Sequence, residues 1–156
     1  MKFEIYFCGS IRAGRQDAEI YRRIISKLKK YGTVLTEFVG TNDDSKEGES
    51  HTKERELSDS EIHERDIRLL EQCEALVAEV TQPSLGVGYE VGRAVVLKKP
   101  ILCLFRPSCG KILSALIRGI HNEEDIIIKD YKESDLDDTL QEFFEKVQKM
   151  QEKNKK

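Results

Sequence analysis

Short apolar runs alternate with amphipathic segments along nearly the whole chain, and this alternation limits the folds that the chain can adopt. The runs, four to six residues long, fit buried strands, and apolar residues at helical spacing follow them. The predicted strands occupy residues 3–8, 33–38, 75–80, 101–105 and 126–129. The predicted helices cover residues 17–30, 59–73, 113–118 and 133–148, and another ends near Lys98. This order predicts an α/β fold, a parallel sheet with helices on both faces.

The length and net charge of the chain limit the number of domains and the kinds of partner that we expect. A chain of 156 residues fits one domain with a proper core, and we assign residues 1–148 to it and residues 149–156 to a frayed polar tail. A net charge of −3 gives no general attraction to nucleic acid polymers or anionic membranes, so neither is expected as a partner. Any anion site must therefore be built from local groups.

The chain also lacks the usual signals for membranes and secretion. No apolar run approaches the ~20 residues of a membrane span, and the first residues lack the apolar stretch of a signal peptide. The four cysteines are scattered without a Cys-x-x-Cys pair, which favours reduced, packed thiols. We therefore expect a cytoplasmic protein, with the nucleus as the alternative location.

Ligands of such sheets bind beyond the carboxyl ends of the strands, near the point where the strand order reverses. Three polar segments follow predicted strands there: the turn after residue 8, "TQPSLGVGYE" and "RPSCGK". A further segment, residues 40–58, is almost free of apolar residues and is predicted to be a long polar loop. Whether it acts as a lid stays open.

The turn after the first strand carries the groups that bind a small anion. Gly9, Ser10, Arg12 and Arg15 offer free amides, a hydroxyl and guanidinium groups, which suit a phosphate. The spacing matches neither a Walker P-loop nor the Gly-x-Gly-x-x-Gly dinucleotide motif. The alternative is a tight turn between strand and helix, with both arginines solvated.

Two carboxylates lie on helix faces where apolar residues predominate. Asp66 falls within the apolar stripe of its helix, between Ile62 and Leu70, so it is either a buried group paired with an arginine or a functional acid. Glu90 lies in the first turns of the next helix, where it either complements the helix dipole or acts on a ligand. Two carboxyl groups are the equipment of glycoside cleavage, and a phosphate-binding turn beside them suggests a nucleotide substrate.

Several motifs in the same order resemble the 2′-deoxynucleoside 5′-monophosphate N-glycosidases of the nucleoside 2-deoxyribosyltransferase superfamily. They are "YFCGSIR", "IHERD", "AEVTQPSLGVGYEVGRA", "ILCLFRP" and "LSALIRG", spread over residues 3–131. The resemblance implies a flavodoxin-like (Rossmann-like) three-layer sandwich with a five-stranded parallel sheet. It also implies a homodimer without metal or organic cofactor, which hydrolyses deoxynucleoside monophosphates to free base and 2-deoxyribose 5-phosphate.

The resemblance assigns roles to matching positions. Glu90 corresponds to a nucleophile that forms a covalent glycosyl-enzyme, Asp66 to a carboxylate that orients the sugar and assists proton transfer, and Tyr6 to a tyrosine that supports both. Ser114 corresponds to a serine that reaches the phosphate of the neighbouring subunit. The other substrate-binding candidates are Gly9, Ser10, Ile11, Arg12, Arg15, Phe38, Ser84, Gly86 and Leu116.

One position departs from the pattern. Mammalian members carry a histidine after Leu-Thr-Glu, near the base, whereas this chain has Phe38, which can stack but cannot donate a hydrogen bond. Base preference is therefore open. The alternatives are a deoxyribosyltransferase, a ribonucleotide hydrolase of the CMP type, in which Phe replaces Tyr6, and a nucleotide-binding module without turnover. A phosphoribohydrolase is disfavoured because its Pro-Gly-Gly-x-Gly-Thr motif is absent.

Overall fold

The computed structural model describes residues 2–11, 17–40 and 57–155. Its strands are β1 (Phe3–Gly9), β2 (Gly32–Val34), β3 (Ala75–Glu79), β4 (Ile101–Phe105) and β5 (Ile126–Asp130). All pairings between them are parallel, in the order β2-β1-β3-β4-β5. The strand order reverses between β1 and β3, so the flavodoxin-like prediction is confirmed and the ligand edge lies at these two strand ends.

Helices cover both faces of this sheet. They are α1 (Ala18–Leu28), α2 (Asp59–Gln72), α3 (Leu85–Val96), α4 (Ala115–Arg118) and α5 (Leu136–Asn154). α1 and α5 contribute to one apolar core, and α2 and α3 to the other. None of the described helices combines the length and apolar composition needed to cross a membrane.

Alternation along the central strands directs neighbouring side chains to opposite cores. On β1, Phe7 joins the core under α1 and α5, whereas Tyr6 and Cys8 join the core under α2 and α3. On β3, Val77 and Ala78 alternate in the same way. The sheet therefore presents two separate sets of side chains at its carboxyl edge.

The second strand is shorter than the sequence predicts, and Thr36 gives the reason. The Thr36 hydroxyl donates to the Phe7 carbonyl at 2.5 Å and accepts from the Phe7 N–H at 2.9 Å. A side chain thus takes over both groups of Phe7 that a longer β2 would have paired. The chain leaves the sheet there and forms a short 3₁₀ turn, Glu37–Gly40, which carries Phe38.

The last helix begins later and ends further on than the sequence predicts. A 3₁₀ turn occupies Glu133–Asp135, and α5 then continues to Asn154, beyond the predicted end at residue 148. Side-chain hydrogen bonds support the extra turns, from Gln148 to Glu152 at 3.1 Å and from Gln151 to Glu74 at 2.8 Å. No glycine or proline interrupts the segment, so nothing in it ends the helix earlier.

Candidate active site

Glu90 reaches from α3 to the sheet and is held there by Tyr6. Ser84 caps the helix start, where its hydroxyl accepts from the Val87 N–H at 3.3 Å, and Glu90 follows in the second turn. The Tyr6 hydroxyl, from β1, donates to Glu90 Oε1 at 2.5 Å. Tyr6 is only 1% exposed, so its orientation is fixed by packing. The strand thus sets the position of the carboxylate.

The surroundings of Glu90 balance its two protonation states near neutral pH. Burial and, less strongly, the charge of Asp66 raise the pKa of Glu90 to about 7, while hydrogen bonds from Tyr6 and Cys8 lower it. Burial and Glu90 hold the pKa of Tyr6 far above its usual value, so Tyr6 remains a phenol that donates. Cys8, predicted from the sequence only to pack, is buried on the same side of the sheet, and burial together with the charge of Glu90 holds the pKa of its thiol well above the usual value.

Asp66 is the second carboxylate of this site. It lies in α2, half-buried, and its charge acts on Glu90. Arg65 Nε donates to Asp66 Oδ1 at 2.8 Å, so the arginine pairing considered from the sequence is present. The helix that carries Asp66 begins with a capping box formed by Ser58 and Glu61. Both carboxylates therefore project from well-defined helices into one region.

Arg65 was not recognised from the sequence as part of the site. Its guanidinium lies 4.3 Å from the centre of the Phe38 ring while its Nε holds Asp66. One face of the Phe38 ring is therefore covered by the Arg65 guanidinium. The only sequence signal was a cation directly before a candidate acid in "IHERD".

The turn predicted to bind an anion begins at the end of β1. Gly9 lies against Tyr21 of α1, since a Cβ at this position would approach Tyr21 Cζ to 2.8 Å. The Ser10 N–H donates to the Tyr21 hydroxyl at 3.1 Å, and Ile11 is exposed. Arg12 and Arg15 lie outside the described residues.

The remaining candidates lie on two segments at the surface. Ser84 and Gly86 belong to the start of α3, close in sequence to Glu90. Ser114 and Leu116 belong to the start of α4, and both are exposed. Among the described residues, no hydrogen bond links Ser114 to Glu90 or Asp66. Nor does the described part of the chain contain a cluster of acidic, histidine or cysteine side chains able to hold a metal ion.

Comparisons with known proteins match nearly the whole chain. The sequence model of the nucleoside 2-deoxyribosyltransferase family matches residues 5–146. The putative 2′-deoxynucleoside 5′-phosphate N-hydrolase 1 of Nematostella vectensis is 55% identical, covering 90% of this chain and 93% of that protein. The 5-hydroxymethyl-dUMP N-hydrolase of Danio rerio is 52% identical, covering 93% of this chain and 98% of that protein. The CMP N-glycosidase BcmB of Clostridium botulinum has a similar fold, with a TM-score of 0.62 and 20% sequence identity. The match covers 90% of this chain and 98% of that protein.

Proposed function

Because the chain belongs to the nucleoside 2-deoxyribosyltransferase family, we propose that it hydrolyses the N-glycosidic bond of 2′-deoxynucleoside 5′-monophosphates. The products are the free base and 2-deoxyribose 5-phosphate. The observation that carries this proposal is the half-buried Glu90, held by Tyr6 with Asp66 nearby. Relatives more than half identical over nine-tenths of the chain are named N-hydrolases of deoxynucleotides, which supports the substrate class.

The reaction proceeds by double displacement at C1′ of the sugar. The Glu90 carboxylate forms a bond to C1′ while the bond from C1′ to the base nitrogen breaks, and the base leaves with that electron pair and takes up a proton. Water then attacks C1′ of the glycosyl ester, loses a proton, and releases Glu90 and deoxyribose 5-phosphate. Asp66 orients the sugar and assists both proton transfers. In a retaining enzyme of this type the two carboxyl groups lie about 5–5.5 Å apart.

The 5′-phosphate binds at the start of α3 and the turn after β1. Ser84 already accepts a hydrogen bond from the helix, so its hydroxyl proton can be donated to a phosphate oxygen. Gly9 and Ile11 supply backbone amides, since the Ser10 N–H is donated to Tyr21, and the candidates Arg12 and Arg15 supply positive charge. An anion at this position is also favoured by the dipole of α3.

A homodimer completes the site in this proposal. α3 exposes a stripe of Leu85 (97% exposed), Tyr89 and Val96 (80%), and Leu116 of α4 is 85% exposed. Such apolar exposure on one face marks an interface. A Cβ at Gly88 or at Gly92 would meet nothing within 4 Å, so a second helix can approach this face closely. Ser114, which is exposed at the start of α4, would then reach the phosphate of the partner subunit.

The decisive experiment measures release of free base from a panel of deoxynucleotides, ribonucleotides and deoxynucleosides. We expect release from deoxynucleoside 5′-monophosphates. Glu90→Gln removes the nucleophile with little change of shape and should lower kcat at least about a thousandfold. Glu71→Gln makes the same change at an exposed position of α2 and serves as the control. Substantial activity in the Glu90→Gln variant would refute the assignment of the nucleophile.

The same assay separates hydrolysis from sugar transfer, the second activity that the family match favours. With a second free base added, a hydrolase still gives deoxyribose 5-phosphate, whereas a transferase gives a new nucleotide. Binding without release of any base would identify a nucleotide-binding module instead. The ranking of bases, modified pyrimidines included, would show the preference that Phe38 imposes.

A further inference from the structure

A buried polar cluster lies on the opposite face of the sheet from Glu90. Glu79 ends β3 on the side of α1 and α5, two residues after Val77, and is 0% exposed. The Thr81 hydroxyl donates to Glu79 Oε1, and the Thr81 N–H donates to the same atom at 3.3 Å. Both donors of Thr81 thus serve one oxygen of the carboxylate and leave the other, Oε2, to a different partner.

Arg106, just after β4, lies beside Oε2 of Glu79 without closing a hydrogen bond to it. Its Nη2 is 3.7 Å from that oxygen, which is within the range of an ion pair but too long for a hydrogen bond. The same Nη2 contacts Asp17 Oδ2 at 2.5 Å, so it is already engaged by another carboxylate. The side chains of Arg106 and Asp17 are only 17% and 6% exposed. A polar gap of this length is one that a water molecule can bridge.

Tyr131 brings a third polar side chain to this cluster. It follows β5, is 3% exposed, and belongs to the core on the side of α1 and α5. Its N–H donates to the Phe105 carbonyl at 2.9 Å, so its backbone lies beside the strand end that leads into Arg106. Burial and the charge of Glu79 hold the pKa of Tyr131 above its usual value, while the charge of Arg106 lowers it. The phenol therefore keeps its proton and can donate it.

Three polar atoms of the cluster lack a hydrogen-bond partner within the described part of the chain. They are Glu79 Oε2, Arg106 Nε and the Tyr131 hydroxyl, and all three are buried. A buried polar atom without a partner destabilises the fold, and native proteins contain few of them. The three atoms belong to residues at the ends of β3, β4 and β5, which are neighbours in the sheet. One small ligand among them would satisfy all three.

The polarity of these atoms selects the kind of ligand. The Arg106 guanidinium disfavours a cation and the Glu79 carboxylate disfavours an anion, which leaves a neutral molecule. That molecule must accept hydrogen bonds from Arg106 Nε and the Tyr131 hydroxyl and donate one to Glu79 Oε2. Water does all three, and a buried water in a protein typically makes about three hydrogen bonds. The nearly complete burial of Glu79 and Tyr131 argues against a larger molecule.

We propose that Glu79, Arg106 and Tyr131 bind one internal water molecule, which joins the carboxyl ends of β3, β4 and β5. The water replaces part of the hydration that the two charged groups lose on burial. It acts beside the direct hydrogen bond from the Arg106 N–H to Thr81 Oγ1 at 3.0 Å, which already ties the segments after β3 and β4 together. Because the cluster lies across the sheet from Glu90, this site is independent of the proposed function.

A high-resolution crystal structure of the wild-type protein tests the site directly. We expect one ordered water with all three atoms at about 2.5–3.2 Å. Density without a water at this place, or a direct hydrogen bond from Arg106 Nε to Glu79 Oε2, would overturn the proposal. A water that contacts fewer than three of the atoms would do the same.

Tyr131→Phe tests the site in solution, because the two outcomes differ in sign. If the hydroxyl binds the water, its removal costs a hydrogen bond, and we expect the melting temperature to fall by about 2–4 °C. If the hydroxyl has no partner, its removal relieves a buried unpaired group, and the melting temperature should rise. A rise would therefore overturn the proposal.

Tyr31→Phe is the matched control, since it makes the same change just after α1, at a partly exposed position outside the cluster. We expect its melting temperature to stay within about 1 °C of the wild type. An equal fall in both variants would overturn the bond between Tyr131 and the water. If Tyr131→Phe does not fold, the crystal structure of the wild type decides.

Discussion

The charge of Glu90 is set by contacts from single residues, and Tyr6 provides the closest of them. The Tyr6 hydroxyl lies 2.5 Å from Oε1 and lowers a pKa that burial raises to about 7. Attack on C1′ requires the ionised carboxylate. The rate kcat/KM should therefore rise with pH, with a midpoint near 7.

Tyr6→Phe should move this midpoint to higher pH, because the carboxylate loses a donor that favours its charged form. At neutral pH we expect kcat/KM to fall about 10- to 100-fold, the usual effect of removing a hydrogen bond to a charged group. The measurement is kcat/KM across about pH 5.5 to 9. A profile that keeps the wild-type midpoint, as the Tyr31→Phe control should, would contradict this account.

Arg65 contacts the second carboxylate, Asp66, as Tyr6 contacts Glu90. Its Nε donates to Asp66 at 2.8 Å while Phe38 covers the guanidinium. Arg65→Gln should lower kcat about tenfold, because Asp66 loses the contact that orients it. Because the proposed role of Asp66 is to orient the sugar, the loss should be equal for all bases. The control is Arg68→Gln, an exposed arginine of α2. A loss that varies with the base would instead place Arg65 beside the base.

At the scale of elements, Thr36 replaces backbone pairing with side-chain hydrogen bonds at the end of β2. Thr36→Val keeps the shape but leaves the buried N–H and carbonyl of Phe7 without these partners. We expect the free energy of unfolding to fall by about 1–3 kcal/mol. Urea unfolding measures it, with Thr33→Val, at an exposed position of β2, as the control. Equal losses in both variants would show that the Thr36 hydroxyl is not needed.

The same elements show how far the sequence predicts the fold and the site. β4 has the predicted bounds and α2 differs by one residue, because buried apolar runs and a capping box are local signals. The end of β2 depends on a contact between Thr36 and Phe7, which are distant in sequence and which no local pattern reveals. The contact of Arg65 with Phe38 was missed for the same reason, since these two residues are distant in sequence.

At the scale of the whole molecule, one helix carries both the proposed nucleophile and the proposed dimer surface. Val96→Glu would place a charge in the exposed stripe of α3, away from Glu90. We expect monomers in sedimentation velocity, together with loss of activity, because Ser114 no longer reaches the partner's site. Ser26→Glu, at an exposed position of α1, is the matched control. Full activity in a monomeric Val96→Glu variant would refute a shared active site.

The sheet separates the side chains around Glu90 from those that pack Phe38. Tyr6 and Cys8 belong to the core on the side of α2 and α3, the helix that carries Glu90, whereas Tyr21 and Phe38 pack on the side of α1 and α5. Substitutions that repack one core therefore need not repack the other. A descendant lineage can thus acquire a new nucleobase preference through changes around Phe38 and still inherit the chemistry around Glu90 unaltered.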